Sequence, residues 1–198
     1  MPFPYRQIPN LITGIRIALV FPIAVALIHD RLAETLLLFA AAAASDAADG
    51  FLAKRFGWRT PQGAVLDPAA DKLLLATVYV TLMLRGDVPA WLTATVVGRD
   101  VIIVAGAITY RIWIGALTMR PSAISKLNTL VQVAFVLAVI GERRFGFPPE
   151  WAIVLQGAAV LVTSVVSGID YVLTFGRQAQ DERHRARAAA PGGEASRV

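Results

Sequence analysis

Six apolar runs, at about 10–29, 32–55, 64–84, 91–112, 122–141 and 150–175, fill most of the chain. Each is close to the roughly 20 residues that a helix needs to cross a bilayer. Short polar breaks separate them, among them His29-Asp30-Arg31, "RGDVP" at 85–89 and "GERRFGFPPE" at 141–150. The pattern predicts an all-α integral membrane protein with six transmembrane helices. Beyond residue 175 the periodicity stops. The segment 176–198 is charged and then rich in Ala, Gly and Pro, which reads as a short helical extension fading into a disordered basic cytoplasmic tail. The expected organisation is one transmembrane domain over 1–175 and this tail over 176–198. No internal repeat is visible.

Composition narrows the function classes. With 56% hydrophobic residues in 198 and a mean hydropathy of +0.59, six spans leave no room for a separate water-soluble catalytic domain. Any chemistry must sit among the helices. The absence of cysteine excludes a disulfide framework and a thiolate metal site. A net charge of +5 suggests nucleic acid in a soluble protein, but in this one it reads as basic loops on one side of a membrane. With the N-terminus inside, twelve basic residues (Arg6, Lys54, Arg55, Arg59, Arg111, Arg120, Lys126, Arg177, Arg183, Arg185, Arg187, Arg197) fall on the inner side. Four (Arg31, Arg85, Arg143, Arg144) fall outside. The bias puts both termini in the cytoplasm, and the preference for Arg and Ala suggests a GC-rich, bacterial genome and hence the cytoplasmic (inner) membrane. A secretory signal ending near Ala24-Val25-Ala26 is the alternative for the first run, but Arg16 and Pro22 interrupt it.

Four aspartates break the apolar pattern in a regular way. Asp46 and Asp49 are three apart near the end of the second run, and Asp67 and Asp71 are four apart near the start of the third. Each pair therefore shares one helix face. At 1.5 Å per residue, Asp49 lies roughly 9 Å above Arg55, and Asp71 roughly 10 Å from the same end if the third helix begins near Ala64. The two pairs can meet at one depth, slightly below the cytoplasmic surface. Four carboxylates at close range repel in a low dielectric, so a cation must compensate. Lys54 and Lys72 can contribute, but an all-oxygen set suits Mg²⁺ or Mn²⁺, and two ions can be held. Gly50, Ala53 and Gly63 keep nearby surfaces small enough for a pyrophosphate to approach the backbone. Lys54, Arg55 and Arg59 add positive charge beside it. The plain alternative is an interfacial loop with scattered aspartates, but regular helical spacing inside apolar runs argues against it.

Asp46-x-x-Asp49-Gly50-x-x-Ala53-Lys54, followed by Gly63-x-x-x-Asp67-x-x-x-Asp71, resembles the signature of the CDP-alcohol phosphatidyltransferases. Lys54 departs from it, because the family usually has Arg there; Lys keeps the charge and loses the bidentate fork. "IPNLITGIR" at 8–16 is similar to the family's N-terminal stretch. "GRDVII" at 98–103 and "PSAISKLNTLVQ" at 121–132 look most like the CMP-forming cardiolipin synthases. The resemblance implies six transmembrane helices in a homodimer, with the catalytic motif spanning helices 2 and 3. It implies that Asp46, Asp49, Asp67 and Asp71 hold two Mg²⁺ or Mn²⁺ ions and that Asp71 is the general base. Asn10, Thr13, Gly50, Ala53, Lys54, Arg55, Thr60 and Gly63 would bind CDP-diacylglycerol. The acceptor would be phosphatidylglycerol, giving cardiolipin and CMP, or alternatively glycerol 3-phosphate, giving phosphatidylglycerophosphate.

Arg99 falls inside the fourth run and needs a reason of its own. It either pairs with Asp100 or one of the motif aspartates, or forms an anion-binding acceptor pocket with Arg120 and Lys126. Trp58, Trp91, Trp113 and Trp151 lie near span ends, where interfacial anchoring is expected. The tail arginines are expected to lie on anionic membrane lipid. Two rivals remain. An intramembrane prenyltransferase shares the Asp and Mg²⁺ logic but does not require Gly50, Ala53 and Gly63 at these offsets. A divalent-cation transporter would need ligands along a path through the bilayer rather than gathered toward one side beside a basic loop.

Overall fold

Good helix formers fill the runs, and the breaks fall where the chain needs a turn. In a computed structural model these residues form six helices: α1 (Ile8–Ile28), α2 (Leu32–Phe56), α3 (Gly63–Leu84), α4 (Ala90–Trp113), α5 (Ala123–Phe145) and α6 (Glu150–Ala189). The structure describes the backbone of residues 8–56, 63–113 and 122–189, and the side chains of 14–15, 17–45, 72–106, 122–174 and 176. Asp30 (φ 60°) and Gly86 (φ 79°) take left-handed conformations that turn the chain out of α1 and α3. Ser122 caps α5 by accepting from the Ser125 amide.

Two expected boundaries move. The break at 141 does not end α5, which continues through Glu142-Arg143-Arg144-Phe145 to Gly146 (φ 68°), whose amide donates to the Glu142 carbonyl. Arginines in the last turn suit the helix dipole. The apolar run ending at 175 also continues as helix, α6 reaching Ala189, in line with the expected helical extension.

Neighbouring helices close a ring in the order α1, α3, α4, α6, α5, α2, and α3 also touches α5 across it. Among the described residues α2 and α3 meet only through neighbours: both flank α1 on one side and α5 on the other. The core draws on every helix, with Ile23 and Leu27, Phe39, Val78 and Tyr79, Leu92 and Val96, Phe135 and Val136, and Val160 fully or almost fully buried. The outer surface is apolar too. Phe21, Leu37, Leu84, Val154, Leu155 and Val162 are exposed, while Asn128, Gln132, Ser164 and Ser167 are buried. That inversion of the water-soluble pattern suits a hydrocarbon solvent. Ala123–Phe145 and Glu150–Thr174 are long and apolar enough to cross a membrane; Ile17–Ile28, Leu32–Ser45 and Lys72–Leu84 are shorter apolar segments. Trp91 and Trp151 are exposed at the start of α4 and α6.

Candidate active site

The backbone carries the aspartate motif on two helices, as its spacing predicts. Asp46 and Asp49 fall within α2, one turn apart, with Gly50, Ala53, Lys54 and Arg55 in the turns that follow. Gly63 opens α3, and Asp67 and Asp71 follow one turn apart. Asn10 and Thr13 lie in the first turns of α1. The side chains of these residues lie outside the described ones, as do Thr60 and Arg120 altogether.

The described site begins one residue after Asp71. Lys72 Nζ donates to Asp100 Oδ1 at 2.5 Å, linking α3 to α4. The same carboxylate oxygen accepts from Arg99 Nη1 at 2.5 Å. Arg99 Nη2 donates to Ser125 Oγ of α5 at 2.8 Å and also to Ser167 Oγ of α6. The guanidinium lies 5.8 Å from the Tyr171 ring centroid, a cation–π distance. Four helices thus meet at one buried ionic layer. Among the described residues Arg99 and Lys72 share the Asp100 carboxylate, Lys72 has a further interaction besides it, and Arg99 Nε is buried without a hydrogen-bond partner among the described residues. An orphaned donor on a buried cation is costly, so Nε favours a hydrogen-bond acceptor. Lys126, next to Ser125, is exposed.

This geometry sets the depth of Arg99, which counting along the fourth run places mid-span. Its partner Ser125 sits in the first turn of α5, so Arg99 is level with the start of that helix. At the other end of α5, Arg143 pairs with Asp87. From Ser125 to Arg143 the helix rises roughly 27 Å at 1.5 Å per residue, close to the roughly 30 Å of bilayer hydrocarbon. Arg99 therefore lies near one edge of the apolar slab, at the level of Asp71, and its pairing with Asp100 is the one raised by its sequence neighbour. Of the three acceptor candidates, Arg99 joins this layer, Lys126 borders it, and Arg120 lies outside the described residues.

A polar seam continues from the layer between α5 and α6. Asn128 Oδ1 accepts from Thr163 Oγ1 at 2.8 Å and Ser164 Oγ at 3.0 Å, and Gln132 Nε2 donates to Ser164 Oγ at 3.3 Å. Such contacts join helices where apolar packing alone gives little preference. Ser125 and Ser167 were not legible as partners of Arg99, since single serines carry no pattern. Asn128 and Gln132, four apart in an apolar run, gave a readable signal of a buried polar stripe. Among the described residues no group of three or more potential ligands gathers around a metal position, and the four motif aspartates lie outside that set.

The sequence profile of the CDP-alcohol phosphatidyltransferases matches residues 6–169. The chain belongs to that family. A probable phosphatidylglycerophosphate synthase of Mycobacterium tuberculosis (strain H37Rv) is 32% identical over 177 residues, covering 84% of this chain and 80% of its own. The CMP-forming cardiolipin synthase of Homo sapiens is 29% identical over 180 residues, covering 83% of this chain and 60% of its own. A CDP-diacylglycerol–glycerol-3-phosphate 3-phosphatidyltransferase of Pseudomonas fluorescens is 41% identical over 107 residues, covering 50% of this chain and 53% of its own. The protein is thus a CDP-alcohol phosphatidyltransferase of phospholipid biosynthesis, in a membrane-associated family that generally uses divalent metals. The relatives include enzymes named for both acceptors.

Proposed function

We propose that this phosphatidyltransferase makes cardiolipin, moving the phosphatidyl group of CDP-diacylglycerol onto phosphatidylglycerol with release of CMP. The observation that carries the reading is the level of Asp71. The residue after it joins an ionic layer with Asp100 and Arg99, one of whose guanidinium N–H groups has no partner among the described residues. An acceptor whose phosphate is drawn to Arg99 would have its hydroxyl within reach of a base at that level. Asp71 takes the hydroxyl proton, and the acceptor oxygen forms a bond to the phosphorus next to the diacylglycerol. The bond from that phosphorus to the CMP oxygen breaks, and CMP leaves.

The donor set fits a divalent metal: four carboxylates, two on each of two helices and one turn apart, offer only oxygen ligands. Asp46, Asp49, Asp67 and Asp71 would hold two ions of Mg²⁺ or Mn²⁺, which neutralise the diphosphate when bound. Lys54, Arg55 and Thr60, with the small surfaces of Gly50, Ala53 and Gly63, would receive the diphosphate, and Asn10 and Thr13 the nucleotide end. Lys126 and Arg120 would flank the acceptor phosphate. In this reading all six helices span the bacterial cytoplasmic membrane, both termini and the site face the cytoplasm, and the enzyme works as a homodimer.

The test uses purified protein with CDP-diacylglycerol and Mg²⁺ or Mn²⁺, offering the two acceptors separately. Cardiolipin and CMP formed from phosphatidylglycerol, and no CMP release in EDTA, are the expected results. The second reading, with glycerol 3-phosphate as acceptor, is favoured by the 32% identity to the mycobacterial protein, and phosphatidylglycerophosphate as product would establish it. A folded protein that releases no CMP with either acceptor would remove both.

A further inference from the structure

The face of α3 that packs into the bundle runs Lys72, Leu75, Tyr79, Leu82, at the three- and four-residue spacing of a helix stripe. Leu75, Tyr79 and Leu82 are buried in the core. Lys72 stands at the end of that stripe, beside the residue proposed as the base. An apolar side chain there would extend the core without desolvating a charge. The chain instead places an ammonium, paired with Asp100 Oδ1 of α4 at 2.5 Å. Ion pairs withdrawn from water gain little over apolar packing, and their best-attested use is to fix register.

The partner is itself held in place. The Asp100 side chain is 10% exposed, and its Oδ1 also accepts from Arg99 Nη1. Arg99 Nη2 in turn donates to Ser125 of α5 and Ser167 of α6. Asp100 is therefore a point fixed by three helices, and Lys72 ties α3 to it. Two other polar ties of α3, Thr93 Oγ1 to the Tyr79 carbonyl and Tyr79 Oη to the Gln132 carbonyl, are both long at 3.4 Å. They also lie seven residues, roughly 10 Å, farther from the motif. Side chains reach roughly 5–6 Å from a helix axis, so a rotation of about 10° moves such a group by about 1 Å. A displacement of that size can cost a rate on the order of 10²-fold.

We infer that Lys72 is a positioning residue, whose ion pair with Asp100 sets the rotation of α3 and so the place at which the next-door carboxylate, Asp71, meets the acceptor hydroxyl. The inference rests on the proposed role of Asp71 as general base. It gives the motif-end layer a second task, since the group that anchors Arg99 also registers the catalytic turn of α3.

The full-length enzyme in lipid nanodiscs is assayed for CMP release, with kcat and KM measured for each substrate. Lys72→Met keeps the stem and removes the ammonium, and it leaves Asp100 paired with Arg99. It is expected to melt near wild type and to lower kcat on the order of ten- to a hundred-fold, with KM for both substrates unchanged. Asp100→Asn keeps an acceptor for Arg99 but removes the charge that holds Lys72, and kcat should fall here too. The double variant should be no slower than the slower single, because both changes break one tie. The chain has no cysteine, so Lys72→Cys offers one thiol, at a side chain that is 27% exposed and open to reagents. Alkylation with 2-bromoethylamine rebuilds the ammonium and should restore kcat, whereas the neutral iodoacetamide adduct should not. This rescue answers for a variant that folds poorly.

Wild-type kcat in Lys72→Met would overturn the inference. A raised KM at wild-type kcat would make Lys72 a substrate contact and overturn it as well. So would a slow Lys72→Met beside a wild-type Asp100→Asn, which marks a charge acting without its anchor, or recovery with both reagents. All of these leave the role of Asp71 standing. Substantial turnover in Asp71→Asn would instead remove the base, and with it the group that Lys72 positions.

Discussion

Two ionic layers bracket the helical slab, and they are built differently. At the far end Arg85 donates to Asp87 Oδ2 at 2.9 Å, to Asp30 Oδ1 at 2.5 Å and to the Leu27 carbonyl at 2.6 Å, while Arg143 takes the other oxygen of Asp87. Two cations face two carboxylates, and Asp87 holds the Arg85 guanidinium more firmly protonated than usual. This layer ties the turn after α1, the turn after α3 and the end of α5 together, and it is charge-balanced. At the motif end Lys72 and Arg99 share one carboxylate, Asp100, Lys72 has a further interaction besides it, and Arg99 Nε has no partner among the described residues. Both layers use the same chemistry at opposite ends of α5. The far layer closes on its own four side chains, whereas the motif-end layer runs on to Lys72, the residue beside a proposed general base. The difference separates a clamp from a candidate site.

The largest expected effect tests whether the motif end is catalytic. Asp71→Asn should lower CMP release by a factor on the order of 10²–10⁴, the usual contribution of a general base or more if metal binding also suffers. The variant should still reach the membrane in normal amount. Substantial residual turnover would remove Asp71 from the base role. Next come the two shared carboxylates. Asp100→Ala takes the shared carboxylate from Arg99 and Lys72, and Asp87→Ala takes it from Arg85 and Arg143; losing one partner of a buried pair costs up to about 3–5 kcal/mol. Both should lower the melting temperature. At a temperature where each is folded, only Asp100→Ala should also lose activity. Equal activity loss in both would erase the distinction between the two ends.

A subtler comparison exchanges the arginines. Arg99→Lys keeps the charge but loses the planar fork that reaches Asp100, Ser125 and Ser167 together. KM for the acceptor should rise on the order of ten-fold, with KM for CDP-diacylglycerol unchanged, as expected when a charge-assisted hydrogen bond of about 1.5–3 kcal/mol is lost. Arg85→Lys should change stability alone. A wild-type acceptor KM in Arg99→Lys would make the motif-end layer a second clamp.

What the sequence reveals follows from the range of each interaction. Helix spacing is local, so α1 to α4 begin and end within two residues of the apolar runs, and Asp46, Asp49, Asp67 and Asp71 fall one turn apart on α2 and α3. The end of α5 is missed because "ERRF" looks like a loop in hydropathy, yet Arg143 has a buried partner, Asp87, waiting across the slab. The depth of Arg99 is missed for a related reason. Counting within α4 puts it mid-span, but depth is set by neighbours, and α5 begins only a turn from its level. Lys72 is legible as a cation near the motif, though its partner Asp100 is 28 residues away. No periodicity encodes that pairing, or the ring order that brings α4 and α6 together.

The smallest effect belongs to the far end and tests its role as a clamp from the other side. Asp30 accepts from Arg85 at 2.5 Å, but its side chain is 68% exposed against 2% for Asp87. Solvent screens an exposed pair, so Asp30→Ala should cost about 0–1 kcal/mol, well below the cost of removing Asp87 from the same arginine. Arg85 would retain Asp87 and the Leu27 carbonyl, so the turn after α3 should hold its place. Melting in nanodiscs should fall slightly or not at all, and CMP release should match wild type. If Asp30→Ala destabilised as much as Asp87→Ala, the layer would act as one cooperative network rather than as a buried pair with an exposed accessory. Charge balance would then matter at this end as much as burial does.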